Sequence, residues 1–279
     1  MKKKSANINF SFKTKAETLK ILQKLVKQSK IETIYAFTIK DWEKSHDTIL
    51  ENISKKFEKK IVVRSSAIGE DSVFSSKAGA YESVLNVNAS SPKEISNAIN
   101  IVITSYHKKN NYNTENQILI QIQTLSVAVS GVIFSRTPDF GAPYFVINFE
   151  EGNLTTGVTS GAVSDTLKIF RETNPKLIPQ KWTRLIISIK EIEKIVNSNE
   201  LDVEFGITKN NKVIIFQVRP LTSIRKKSKN ITDHDISKIV LKLKKKFKKL
   251  KNSARISGNK TIFSDMADWN PAEIIGNNP

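Results

Sequence analysis

The chain has 279 residues, 39% of them hydrophobic and 14 of them Phe, with a formal net charge of +18. That length and apolar content can bury a large core, in one composite domain or two smaller ones, and exclude a chain disordered throughout. With no Cys it has neither a disulfide framework nor a thiolate zinc site, and no apolar run approaches the roughly 18 residues of a membrane span.

The basic start, Met1 to Ser5, is followed by no apolar signal core, which points to a cytoplasmic protein. Periodicity predicts a helix over 15–29, with Leu19, Leu22 and Val26 on one stripe, and a second over 41–58, with Trp42, Ile49, Ile53 and Phe57 in phase. Ile61 to Val63 reads as a short buried strand. It runs into Arg64-Ser65-Ser66-Ala67-Ile68-Gly69-Glu70-Asp71 and then a Ser/Gly-rich loop to Gly79. Strands are predicted at 82–87, 118–124, 129–134, 144–149 and 212–218, and helices at 92–107 and 183–197. Alternating strands and helices indicate an α/β or α+β domain, and there is no internal repeat. Beyond Ser223 Lys dominates, yet 235–250 is an amphipathic helix carrying Ile236, Ile239, Val240, Leu243, Phe247 and Leu250 at helical spacing. The segment Met266 to Gly276 has specific residue types for a tail, so the chain reads as one piece of a longer polypeptide. Lys, Asn and Ile are abundant together, as an AT-rich genome would produce. The excess charge therefore reads as solvated surface, with nucleic acid or an anionic membrane surface as its alternative.

The most informative pattern is Leu201-Asp202-Val203-Glu204-Phe205 followed by Gln217-Val218-Arg219-Pro220. Both runs alternate polar with apolar residues, and Asn210-Asn211 between them suits a two-residue hairpin turn, with Lys209 opposite Lys212. Counting outward, Glu204 faces Gln217 and Asp202 faces Arg219. These four share one face, and Val203, Phe205, Phe216 and Val218 lie on the other. Two acids, an amide and a guanidinium on one face suit Mg²⁺ and a polyphosphate. The pattern equally suits a surface hairpin closed by an Asp202–Arg219 salt bridge, and spacing alone leaves both open. Arg64 and the Ser- and Gly-rich residues after it can approach phosphates closely, and Lys15, opening the first helix, can act as a point charge for phosphate. His46, His107 and His234 all sit in polar, Lys-rich surroundings with no partner at metal-ligand spacing, and read as surface residues.

Taken together, Val63-Arg64-Ser65-Ser66-Ala67, Glu70-Asp71, Ala78-Gly79, Leu85-Asn86-Val87, Ser130 to Arg136, Ser160-Gly161, Asp202 to Phe205 and Gln217 to Thr222 resemble the nucleotide-binding domain of the phosphoenolpyruvate synthase and pyruvate phosphate dikinase family. The likeness spans roughly residues 10–222. It implies an α+β, two-lobed ATP-grasp fold with ATP between the lobes: an N-terminal lobe over 1–110 and a C-terminal lobe over 111–222 carrying the hairpin. Residues 223–279 would then form a Lys-rich helix and linker toward a further domain. By resemblance Lys15 and Arg64 contact phosphates, Gly79 and Ser83 lie in the loop over the polyphosphate, and Gln121 sits near the adenine. Glu204 and Gln217 hold Mg²⁺ with Asp202 beside them, and Arg219 stabilises the transferring phosphoryl group.

Lys13 and Thr14 stand where the family has glycines before its lysine, so the turn there must differ. The family's chemistry also needs a phosphorylated His on a swivelling domain, and no candidate carrier His is present. The implied function is the Mg·ATP-binding part of a dikinase-type phosphotransferase. It would phosphorylate a carrier His in the same or another chain and then a small-molecule acceptor, releasing AMP and phosphate. Thr14 to Leu19 and Asp268 to Glu273 are similar to a branch associated with surface-polysaccharide biosynthesis that includes the L-glutamine kinase. This makes the glutamine amide a candidate acceptor beside pyruvate. The rival expectation is a non-catalytic basic protein that binds nucleic acid or an acidic partner through the Lys-rich helix.

Overall fold

The computed structural model describes residues 10–72, 75–76, 81–152, 165–223 and 232–253, with the backbone alone for 71, 72, 75, 76 and 247–253. The chain divides into two units, Met1–Asn230 and Ile231–Pro279.

In chain order the first unit contains α1 (Lys15–Gln23), β1 (Ile34–Thr38), α2 (Ile39–Lys44), α3 (His46–Lys56) and β2 (Lys60–Ser66). The two-residue strands β3 (Asp71–Ser72) and β4 (Ser75–Ser76) precede β5 (Ser83–Asn88), α4 (Pro92–Lys108) and β6 (Gln117–Ile122). Then come β7 (Val127–Phe134), β8 (Tyr144–Glu151), β9 (Asp165–Phe170), α5 (Gln180–Val196), β10 (Leu201–Thr208) and β11 (Val213–Pro220). The strands form a four-stranded sheet in the order β1-β6-β2-β5 and a five-stranded sheet in the order β11-β10-β7-β8-β9. Neighbouring strands in both are antiparallel.

Each sheet has its own hydrophobic core. In the first, Ile61, Val63, Ile118 and Ile120 pack with Ile53, Phe57, Ile95, Ile99 and Val102 of the helices α3 and α4 and their flanks. Because side chains alternate along a strand, Val62 and Arg64 of β2 and Leu119 and Gln121 of β6 face the other way. In the second, α1 and α5 cover one face, with Leu19, Leu22, Leu185, Ile189 and Ile192 against Ile133, Phe145, Ile147, Val203, Phe205 and Val218. The opposite face carries Ser130, Glu150, Asp202, Glu204 and Gly206, which share it by register. A two-lobed α+β organisation, as expected, is therefore present. The first sheet draws on β6, beyond residue 110, and α1 joins the core of the second.

Two of the expected helices take a different shape. The first helix stops at Gln23, not near 29, because bonds from outside it hold the following chain. The Gln23 side-chain amide donates to the Ile31 and Glu32 carbonyls, and the Glu191 carboxylate on α5 accepts from the backbone N–H groups of Lys27 and Gln28. The helix expected over 41–58 is two helices, broken at Ser45 (φ −139°), with a Thr38–Asp41 capping box starting the first. Strands β1 and β9, and the two-residue strands β3 and β4, lie where the sequence pattern marks none. In the second unit, α6 (Asp233–Ser253) starts at Thr232, whose hydroxyl bonds the Asp235 carboxylate. Ile239 and Leu243, on its apolar stripe, are exposed.

Candidate active site

The hairpin brings Asp202 opposite Arg219 and Glu204 opposite Gln217, as the alternation predicts, but by a different route. The turn is a three-residue loop, Lys209 to Asn211. It is closed by Thr208 N–H to the Lys212 carbonyl and Asn211 N–H to the Thr208 carbonyl, with Asn211 in the left-handed region at φ +55°. This displaces the register by one residue from the expected two-residue turn. A β-bulge between Glu204 and Phe205 displaces it back, leaving Phe216 as the extra residue of β11. The polar quartet survives because the two departures cancel. Phe216 does not join Val203, Phe205 and Val218 in the core. Its ring lies against Gly206 on the polar face, where a Cβ on Gly206 would come within 2.8 Å of the ring.

The Asp202–Arg219 salt bridge exists, with Arg219 Nε donating to Asp202 Oδ2 at 2.7 Å, but it is not on the surface: the side chains are only 9% and 8% exposed. Asp202 Oδ1 is buried with no hydrogen-bond partner among the described residues. Burial pushes the Asp202 carboxyl above the ordinary aspartate range even beside the Arg219 guanidinium. From the other sheet, Arg64 donates to Glu204 Oε2 at 2.8 Å, and its guanidinium also reaches the Phe216 carbonyl. Burial pushes the Glu204 carboxyl up as well. There, however, Arg64, Lys15 and Arg219 outweigh it and hold the group below the ordinary glutamate range.

Lys15 is the buried first residue of α1, and its ammonium donates to Glu70 Oε1 at 2.9 Å. The glycines missing before it are not needed. Thr14 has φ −60° and extended backbone, and it closes a capping box with Glu17. Arg64 thus pairs with Glu204, while the charges of Lys15 and Arg219, each paired with another carboxylate, also act on it. Gln121 is buried on β6, its amide nitrogen unpartnered among the described residues. Ser83 is exposed on β5, directly opposite Arg64. Gly79 lies outside the described residues, as do Ser160, Gly161 and the 266–276 segment.

Sequence reasoning did not single out Thr124, Ser130 and Glu150 as site residues. Each has a buried side-chain oxygen with no partner among the described residues, and Ser130 is registered between Glu150 and Gly206. Orphaned buried polar atoms are rare in folded proteins and mark positions where a ligand can complete the bonding. Of the histidines, His46 stacks near Trp42 and His107 on Tyr112, and all three are exposed.

Chemically, a rim of three cations around two carboxylates and an amide can hold a polyphosphate with a hard divalent cation. Among the described residues no three His, Asp or Glu side chains converge on one point. The phosphates themselves could supply further oxygen ligands to a metal held here.

The family described as pyruvate phosphate dikinase, AMP/ATP-binding domain, matches residues 15–183. The chain belongs to this family. A probable phosphoenolpyruvate synthase of Archaeoglobus fulgidus is 27% identical over 227 residues, covering 65% of this chain and 30% of that protein. An uncharacterized phosphotransferase of Bacillus subtilis, YvkC, is 29% identical over 225 residues, covering 63% of the chain and 27% of its own length. The dikinase-family domain described here thus spans about a third or less of these curated relatives. Among solved structures it is similar to the D-alanine-D-alanine ligase of Helicobacter pylori at TM-score 0.43 and 15% identity, over 75% of this chain and 51% of that one. It is also similar to D-alanyl-alanine synthetase A of Vibrio cholerae at TM-score 0.44 and 12% identity, over 82% and 62%.

Proposed function

We propose that this domain binds Mg·ATP between its two sheets and serves a dikinase-type phosphotransferase, in which ATP phosphorylates a His on a separate carrier domain. AMP and phosphate are the eventual products. The observation that carries the reading is that three cations from distant parts of the chain are each held by a carboxylate, Lys15 by Glu70, Arg64 by Glu204 and Arg219 by Asp202, with the Arg64–Glu204 pair joining the two sheets. Cations gathered around a carboxylate that also holds a metal are what phosphoryl transfer requires, since its catalysis is mostly positioning and charge stabilisation.

In this reading Lys15 and Arg64 bind phosphates and Arg219 stabilises the transferring group. Gly79 and Ser83 belong to the loop over the polyphosphate. Gln121 sits at the adenine end, and the unpaired oxygens of Thr124, Ser130 and Glu150 complete the nucleoside end. Glu204 and Gln217 hold Mg²⁺ with Asp202 beside them, and the unpartnered Asp202 Oδ1 fits that donor set. An ion held there supplies charge neutralisation on the polyphosphate. The acceptor of the complete protein is a small molecule, with the L-glutamine amide of the polysaccharide-associated branch and pyruvate as the candidates, and the setting is cytoplasmic.

The test is calorimetric titration and thermal denaturation with Mg·ATP. At about 100 times Kd, binding stabilises by roughly 3 kcal/mol. Absence of any shift, together with tight salt-sensitive RNA binding, would replace this reading with the basic binding protein. For the longer polypeptide, acceptor-dependent AMP formation with glutamine against pyruvate decides the substrate.

A further inference from the structure

We propose that Glu70 is a positioning residue that fixes Lys15 for the phosphate end of the nucleotide, an inference that rests on the ATP reading above. Every oxygen of this buried carboxylate is engaged. Oε1 accepts from Lys15 Nζ at 2.9 Å and from Ser65 Oγ at 3.1 Å, and Oε2 accepts from the Ala67 N–H at 3.0 Å. Both side chains of the ion pair are 6% exposed. The turn that presents Glu70 is closed by its own N–H to the Ala67 carbonyl, with Gly69 at φ +76°, a backbone angle suited to glycine.

The segment that carries Glu70 begins with Arg64. The carboxylate therefore ties Lys15, from α1, to the same stretch of chain that aims Arg64 at Glu204. An ammonium has three donors, and Glu70 takes one, leaving the others for phosphate oxygens. A buried ammonium without a counter-charge is strongly unfavourable. Without Glu70, Glu204 is a further carboxylate on which the Lys15 charge already acts. Lys15 would then leave the phosphate position and neutralise the carboxylate meant for the metal. Glu70 keeps the cation out of that position.

The experiment measures ATP and adenosine affinity calorimetrically, with Mg²⁺, for the wild type, Glu70→Ala, Glu70→Gln, Lys15→Met and the double variant Lys15→Met/Glu70→Ala. Glu70→Ala is expected to weaken ATP about tenfold, the loss of one charge-assisted hydrogen bond, while adenosine affinity stays unchanged. The double variant should bind ATP no worse than Lys15→Met alone, because Glu70 acts through Lys15. Glu70→Gln, which keeps the shape and an acceptor, should fall between wild type and Ala, and it carries the test if Glu70→Ala does not fold. An equal loss for ATP and adenosine would show a merely structural residue and overturn the proposal. So would tighter ATP binding, which would make Glu70 a competitor for Lys15, or full additivity in the double variant. A wild type that binds neither ligand would instead sink the ATP reading itself.

Discussion

Replacing Arg219 by Ala removes the partner of a carboxylate that is 9% exposed and already has one oxygen unsatisfied. Breaking a buried ion pair by deleting one member costs about 3–5 kcal/mol, because the remaining charge is left unpaired. Asp202 can escape part of that cost by taking a proton. Burial already holds its folded-state pKa above the unfolded value near 3.8. The folded state thus binds this proton more tightly, and the group's contribution to stability is present at low pH and lost as pH rises through the folded pKa. Without the guanidinium the folded pKa climbs further, so the window of loss extends upward. The penalty of Arg219→Ala should be small near pH 5 and larger at pH 8, growing by about 1.4 kcal/mol for each unit of that extra rise. Urea unfolding of wild type, Arg219→Ala and Asp202→Asn/Arg219→Ala at both pH values measures it, and the double variant should lose the pH dependence. A penalty under about 1 kcal/mol, or one equal at the two pH values, would refute the buried-pair reasoning. In the complete enzyme the same variant should abolish turnover, and full activity would remove Arg219 from the phosphate site.

Gln121→Leu replaces an unpartnered buried amide, so it should stabilise the ligand-free domain by about 1–2 kcal/mol while weakening ATP and adenosine alike; thermal denaturation with and without nucleotide reads both. Gly131→Ala would place a Cβ 2.1 Å from the Asn148 carbonyl oxygen on the neighbouring strand, so the strands must separate. A loss above about 3 kcal/mol or failure to fold is expected, and an unchanged Tm would contradict the β7–β8 pairing. Thr14→Ala removes the helix cap in front of Lys15 and should cost about 1 kcal/mol in urea unfolding, with Thr14→Ser close to wild type.

Local periodicity carried much of the fold. The apolar runs at 61–63, 118–120 and 213–215 are visible because those strands lie deep in the fold, and the polar residues left over in 201–205 and 217–219 mark the candidate site. Where long-range bonds compete with local preference, the pattern fails. Glu191 and Ser188 draw residues 27–28 off the helix, and a bulge at Phe216 undoes the shift of an unrecognised three-residue turn. Glu70 stood in the sequence as one more acid in a polar loop, and nothing in its neighbours reveals that Lys15 is its partner.

What the sequence by itself determined is the set of chemical groups and which of them share a face of the hairpin, since that follows from the two-residue period of a strand. Only the tertiary structure decided that these groups face Arg64 across 140 residues of chain, and that Asp202 and Arg219 are buried instead of solvated. It also decided that Lys15 reaches the same place from α1. The physical reason is that ion pairing and desolvation depend on distance in space, and the packing of two separate cores sets that distance.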